Sequence, residues 1–473
     1  MADTVVVVVV ELVEKEAFGL ETSPGSRSTI AATAAPAASR SKATAMTLRR
    51  MKFGDDPFDT ANDRSGGHNG SMEISELQQL AVERASEDAR VRELQSLLGT
   101  SGSVHIVGGA VRDFALGYAP TEIDLVAEED AREIAAVCGG ADVEVHDTFL
   151  TASFTLASGS VDVATARTES YSRPGALPSV FPARIEEDRS RRDFTVNGLL
   201  IRLSDLKVVE DATGWGDLAG GVLRVLHDES FIDDPTRLWR LARYAGRLGF
   251  SADGHTQELA LEAIEGEAQS SISKARIGAE LARTIHQRET DAPILGACRL
   301  GLLGDGVDHE QVAAVLGAVE ALGLEVYESD EVRLAAIAWG GGSPLLSIRK
   351  ELELGDALTT VLSDAESGPE LISALSAAAR PSEVDALCQG VNPAVLAVAG
   401  ALAEDSKPLL QWLNRTSKLS IPFSGADLVA AGVPEGPLVG VGLGIARAHM
   451  LDTGIEDREA LLAIALEAAG SQT

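Results

Sequence analysis

One short stretch constrains this chain more than any other. It is the apolar run Val104-His105-Ile106-Val107, followed by Gly108-Gly109 and then Ala110-Val111-Arg112-Asp113-Phe114-Ala115-Leu116. A β run that ends in paired glycines and passes into a helical pattern aims backbone N–H groups and a helix N-terminus at one point. An anion can sit there, with Arg112 one turn in. The pattern is not the GxGxxG fingerprint of dinucleotide sites, and taken alone it is an ordinary strand-to-helix turn. A second β run, ten residues beyond Arg112, gives it weight: Glu122-Ile123-Asp124-Leu125-Val126. Side chains at i and i+2 of a strand share a face, so Glu122 and Asp124 stand together while Ile123 points to the core. Like charges held that close favour a cation between them, and oxygen ligands select Mg²⁺, with Mn²⁺ as the alternative. A turn for phosphates, an arginine and a carboxylate pair together describe metal-assisted phosphoryl or nucleotidyl transfer. Further β runs at 142–146, 152–157 and 160–165 add strands to a small mixed sheet. Asp162, in the last of them, is a candidate third acid whose face the sequence leaves open.

Composition narrows the class. The 473 residues include 40 basic and 72 acidic side chains, a net charge of −32, which excludes a chain-wide basic field but not a local one. Between residues 160 and 250, thirteen basic residues meet fourteen acidic ones, so positive charge is relatively concentrated there, at Arg167, Arg173, Arg184 and Arg189 among others. Three cysteines, Cys138, Cys298 and Cys388, lie far apart and form no CxxC. That argues against disulfides and a cysteine-built zinc site, and for a reducing cytoplasm. No apolar run approaches the ~20 residues of a membrane helix. Residues 1–71 read as a disordered or mis-started extension: the valine run Val5–Val10 has no basic residues before it, and Ser, Thr, Ala, Gly and Pro dominate beyond it.

The motifs VGGAVRDFALG, EIDLV, VDVATARTESY, RRDFTVNGLL and DDPTRLWRLARYAGRLGF occur in one order. With them the chain resembles the class II tRNA nucleotidyltransferase and bacterial poly(A) polymerase family, within the polymerase-β-like superfamily. The resemblance is strong over 104–285 and weaker to the C-terminus, where FSGADLVAAGVPEGPLVG is similar to a tail signature of bacterial members. It implies metal binding and catalysis at Glu122 and Asp124. Gly109 and Arg112 would contact the nucleotide's phosphates, Arg192 would bind the nucleotide, and Asp193 would lie near its ribose. Asp234 and Arg237 would read the base, and Arg240 and Arg243 would help hold the nucleotide and RNA end. One departure stands out. The family pattern is Asp-x-Asp, and the first acid here is Glu122, one methylene longer.

Asp233-Asp234-Pro235-Thr236-Arg237 opens a helix with apolar Leu238, Leu241, Ala245 and Leu248, ending at Gly249. By itself Asp234 before a proline is a helix cap. At i, i+3, however, Asp234 and Arg237 can share a face. A carboxylate there accepts from an exocyclic amine and a guanidinium donates to a ring nitrogen or carbonyl, which suits C and A and rejects U and G. Further on, SKARIGAELARTIHQ (273–287) is similar to the family's helix that braces the nucleotide pocket, and the remainder reads as helical. A metal-dependent phosphohydrolase domain follows the head in some relatives. Here His309 and His449 are isolated, and His227-Asp228 reads as a loop pair.

The expectation is therefore an α+β nucleotidyltransferase head at 72–225, a helical nucleotide- and RNA-binding neck at 226–290, and a helical body and tail at 291–473. The implied activity is template-independent addition of C and A to the 3′ end of tRNA from CTP and ATP, by a cytoplasmic enzyme with no membrane or DNA partner. Poly(A) polymerase, CC-only or A-only addition, and a non-catalytic tRNA-binding relative are the alternatives.

Overall fold

Residues 72–98 carry apolar side chains at helical spacing throughout, and Asp88 divides them into α1 (Ile74–Glu87) and α2 (Ala89–Leu98): its backbone is extended and its carboxylate accepts from the Arg90 and Val91 N–H groups. The computed structural model describes residues 72–99, 103–139, 142–287, 289–304, 306–324, 329–339 and 345–470. The extension expected at 1–71 lies outside them. Next come β1 (His105–Val107), α3 (Gly109–Leu116), β2 (Ile123–Ala127), α4 (Ala131–Cys138), β3 (Val143–His146), β4 (Thr151–Leu156) and β5 (Gly159–Thr165). A separate hairpin, β6 (Arg167–Ser170) with β7 (Ser179–Pro182), and α5 (Ile185–Ser190) lead to β8 (Leu200–Arg202).

Six strands form one mixed sheet in the order β3-β4-β5-β2-β1-β8, in which β2 and β5 are parallel and the other neighbours antiparallel. Strand alternation puts Ile123, Leu125, Val161 and Val163 into the core. Their neighbours Asp124 and Asp162 emerge on the opposite face, paired in register across β2 and β5. Val107, Val126, Ala166, Ile185 and Leu200 form a small apolar cluster beside that polar face.

Beyond the sheet come α6 (Ala212–Gly220), the short α7 (Ser230–Asp233), α8 (Thr236–Leu248), α9 (Gly254–Glu265) and α10 (Lys274–Ile285), with a short parallel pair, Val222–Leu223 and Ser251–Ala252, among them; the described chain after α10 is helical. The start of α7 is not read from the sequence, which places His227-Asp228 in a loop and opens the helix only at Asp233. A continuous apolar core runs from Leu77 in α1 to Val398. A distinct cluster of Phe423, Leu428, Ala446, Met450 and Leu461 builds the tail. A third cluster with Leu375, Val384, Cys388, Leu396 and Leu409 is tied to the tail by buried Asp385, which accepts from Arg447 Nε and Nη2 and from Trp412 Nε1. No helix of the described residues is long and apolar enough to cross a membrane.

In the tail helix Pro437–Thr453 the glycines differ in purpose. A Cβ at Gly442 would sit 2.7 Å from the Ala465 carbonyl oxygen, whereas at Gly440 it would meet nothing within 4 Å. Gly440→Ala should therefore raise stability by about 0.5–1 kcal/mol through helix propensity. Gly442→Ala should lower it by about 1 kcal/mol or more through overpacking. Chemical denaturation of both variants checks the opposite signs.

Candidate active site

The glycine turn and the acids meet at one corner of the sheet. Gly108 caps α3 at φ +72°, in the left-handed region. A Cβ there would lie 3.5 Å from Asp124 Oδ2 and 3.6 Å from Arg192 Nη1, so the turn, an acid and an arginine are in contact distance. Glu122, Asp124 and Asp162 bring carboxylate oxygens within 4.8 Å of one another. Among the described residues this is the group of acidic, His or Cys side chains close enough to hold a metal ion. Glu122 is exposed and precedes the first paired residue of β2, and its extra methylene still lets the carboxylate join the group. Burial pushes the Asp124 carboxyl up to about 6, the charges of Glu122 and Asp162 add to the rise, and Arg192 opposes it. Three oxygens facing a shared point, one of them destabilised as an anion, fit a divalent cation in both charge and donor chemistry. Asp162 is thus the third acid that the sequence left open; its face is decided by the register with Asp124.

Opposite the acids runs α8, whose Leu238, Trp239, Leu241, Ala242 and Ala245 are buried against the core. Its other face carries Arg237, Arg240, Arg243, Tyr244 and Arg247 into a cavity of about 660 Å³. Gly109, Arg112, Glu122, Asp124, Arg192, Asp234, Arg237, Arg240 and Arg243, all the site residues implied by the resemblance, line this one cavity. Ten arginines and seven carboxylates stand in its wall, a local positive excess in an acidic chain.

Buried acids hold those arginines in place. Asp188 accepts from Arg191 (2.7 Å) and from Arg192 (2.8 Å); despite its burial, the guanidiniums of Arg192 and Arg191 keep it below the usual carboxylate range. Asp193 accepts from Arg240 Nε at 2.6 Å and from Asn197 Nδ2. Burial alone would raise it, yet Arg240, Asn197 and Arg237 bring it to about 2. Glu280 on α10 accepts from Arg243 at 2.6 Å and from Arg283 at 2.8 Å. Arg276, on the same helix, donates to Asp234 Oδ1 and to the Gly175 carbonyl of the β6–β7 loop. The helix at 273–287 thus braces the cavity, as the resemblance implies.

Arg112 and Asp234 also make structural contacts within the protein. The resemblance assigns Arg112 to the phosphates. In the structure it is 2% exposed, with Nε and Nη2 donating to Asp113 and Nη1 to Asn197, so it ties α3 to the Thr195–Asn197 turn. Its partner Asp113 also accepts from Arg247 of α8 at 3.0 Å. Asp234 does act as a cap, its Oδ1 accepting from the Thr236 N–H and hydroxyl, while no bond occupies Oδ2 among the described residues. Sequence reading missed Tyr244. Its ring lies under three guanidiniums, with the Cζ atoms of Arg112, Arg240 and Arg243 at 4.9, 5.3 and 5.7 Å from its centroid. The signal was present: Tyr244 falls four residues after Arg240 and three before Arg247, on the arginine face. Asn197 and Asp188 were also missed, being visible only through their contacts.

Residues 104–224 match the Poly A polymerase head domain family. The chain is 39% identical over 199 residues to the A-adding tRNA nucleotidyltransferase of Halalkalibacterium halodurans, an alignment that takes in 40% of this chain and 46% of that protein. It therefore spans less than half the length of that relative. With the CC-adding tRNA nucleotidyltransferase of Deinococcus radiodurans the identity is 30% over 393 residues, covering 79% of this chain and 93% of the relative. The structure of a CCA-adding enzyme in complex with CTP superposes with a TM-score of 0.66 at 26% identity, over 85% of this chain and all of that one.

The raised Asp124 carboxyl has a stability consequence. The folded state binds its proton more tightly than the unfolded chain, so stability is lost as the pH rises from about 3.8 to about 6. Asp124→Asn should then raise stability by roughly 1–3 kcal/mol at neutral pH without divalent ions, a gain that vanishes towards pH 4. The same variant should lose the thermal shift that Mg²⁺ or Mn²⁺ gives the parent. Melts across pH, with and without Mn²⁺, check both signs.

Proposed function

The chain belongs to the tRNA nucleotidyltransferase and poly(A) polymerase family, and from that premise we propose that it adds C and A to the 3′ end of tRNA, without a template, from CTP and ATP. The observation that carries the reading is the cavity that Glu122, Asp124 and the Gly108 turn share with Asp234 and Arg237, with an Asp162 carboxylate oxygen within 4.8 Å of those of the two acids. Glu122, Asp124 and Asp162 hold divalent ions, Mg²⁺ with Mn²⁺ as the alternative. Such ions, when bound, neutralise phosphate charge and favour ionisation of the RNA 3′-hydroxyl.

The protein's own groups do the rest. The N–H groups at Gly109 and the start of α3 receive a phosphate oxygen, helped by the helix N-terminus. Arg192 directs Nη1 to the same turn while Asp188 fixes its Nε and Nη2. Arg112 acts as the brace of this turn. Asp193, kept ionised by Arg240 and Asn197, lies where a ribose hydroxyl can donate to it. Asp234 Oδ2 accepts from the exocyclic amine of C or A, and Arg237 donates to the adjacent ring nitrogen. U and G place a carbonyl where the amine should be, which leaves the carboxylate unpaired; sites of this kind discriminate by ~10⁴ or more. The reaction would take place in the cytoplasm, where tRNA precursors and nucleoside triphosphates meet.

A partial activity is the second reading, favoured by relatives named A-adding and CC-adding. Labelled CTP and ATP with tRNA ending before C, with C or with CC should extend all three to CCA. Extension of the first two only as far as CC would assign CC addition, extension of the third alone would assign A addition, and no incorporation with Mg²⁺ or Mn²⁺ would refute the enzyme reading. Asp124→Ala should abolish incorporation, by a factor of roughly 10³ or more, with tRNA binding by filter assay nearly intact. Arg237→Ala should relax base choice, read as a rise in UMP or GMP incorporation relative to CMP and AMP.

A further inference from the structure

Base reading by Arg237 requires its guanidinium plane to be held at one angle, and two of its three holders come from the segment just before α8. Arg237 is 5% exposed. Its Nη1 donates to Ser230 Oγ at 2.6 Å and lies 3.0 Å from His227 Nε2, and its Nη2 donates to the Arg191 carbonyl at 2.6 Å. A guanidinium has five N–H donors in a rigid fork. Three are thereby used, and the Nε–H and the second Nη2–H, on the opposite edge, have no partner among the described residues. Those two are the donors a base can receive.

We propose that His227 is the positioning residue that sets nucleotide choice: its imidazole accepts from Arg237 Nη1 and so fixes the edge that Arg237 offers to the base. The proposal rests on the reading of Arg237 given above. A guanidinium cannot accept, so His227 Nε2 must carry its lone pair towards Arg237 and its proton must sit on Nδ1. The neutral form is favoured by the surroundings: burial and then the charge of Arg237 hold His227 below the usual imidazole value, against Asp233, Glu229 and Asp228. The neighbour on which a loop pair would depend faces elsewhere, since Asp228 lies 2.9 Å from His255 Nε2. Ser230 cannot replace the imidazole alone. Its hydroxyl is a single acceptor that can rotate about its Cα–Cβ bond, whereas two acceptors at Nη1 define a plane.

The test compares the parent with His227→Ala, His227→Gln and Ser230→Ala on tRNA ending in C, measuring kcat and KM for CTP, ATP, UTP and GTP. Loss of a hydrogen bond to a charged group should raise UTP or GTP use relative to CTP by about tenfold or more in His227→Ala. The shift should appear mainly in KM, and Ser230→Ala should move the ratio the same way. His227→Gln, whose Oε1 can accept from Nη1, should return the ratio to within about threefold of the parent. A parent-like ratio in His227→Ala, or a His227→Gln variant no better than alanine, would overturn the proposal. If His227→Ala does not fold, by circular dichroism and thermal melting, the glutamine and Ser230→Ala variants decide alone. Arg237→Ala in the same assay keeps the two claims apart: unchanged base choice there removes the underlying reading, and relaxed choice there with parent-like His227→Ala removes only the role of His227.

Discussion

Three carboxylates whose oxygens lie within 4.8 Å of one another repel, and two of them, Glu122 and Asp124, form the acidic corner of the cavity. Backbone geometry enforces their proximity. Glu122 and Asp124 are two residues apart along one strand, and Asp162 is the in-register partner of Asp124 on the parallel neighbour. The apolar residues between them, Ile123, Val161 and Val163, are fully packed, so the acids cannot turn inward or slide apart without moving the core. The burial that raises the Asp124 carboxyl to about 6 makes the same corner a receptive site for a divalent ion.

The positive wall opposite is built on a different principle. Each arginine that faces the cavity is oriented by a buried acid or carbonyl: Arg192 by Asp188, Arg240 by Asp193, Arg243 by Glu280, Arg237 by the Arg191 carbonyl. Charge-assisted hydrogen bonds of this kind fix direction as well as charge, and the Tyr244 ring gives three of the guanidiniums a common surface. A phosphate or base then meets donors already aligned, with little ordering left to do at the moment of binding. The strongly acidic remainder of the chain disfavours polyanions, so under the proposed function RNA phosphates would meet this wall.

Local patterns made the head legible. The β–Gly-Gly–α turn, the Glu122/Asp124 alternation and the arginine spacing of α8 all depend on residues within one or two elements, and the structure places them as the sequence suggests. What was hidden depends on residues far apart in the chain. The face of Asp162 comes from the β2–β5 register. The burial of Arg112 comes from Asn197, 85 residues away. The bracing of Asp234 by Arg276 crosses 42 residues. The break at Asp88 was hidden for another reason: the apolar spacing continues across it, while a single capping carboxylate ends one helix and begins the next. His227 looked like half of a loop pair because its partner, Arg237, is fixed only once α7 and α8 fold against each other.

Anomalous diffraction from crystals grown with Mn²⁺ and a non-hydrolysable CTP analogue tests the central claim most directly. Manganese peaks are expected within coordination distance of Glu122, Asp124 and Asp162, with the analogue's phosphates at the Gly108 turn and its base edge towards Asp234 and Arg237. Manganese bound elsewhere, or an analogue lying in the cavity with its triphosphate away from the three acids, would contradict it.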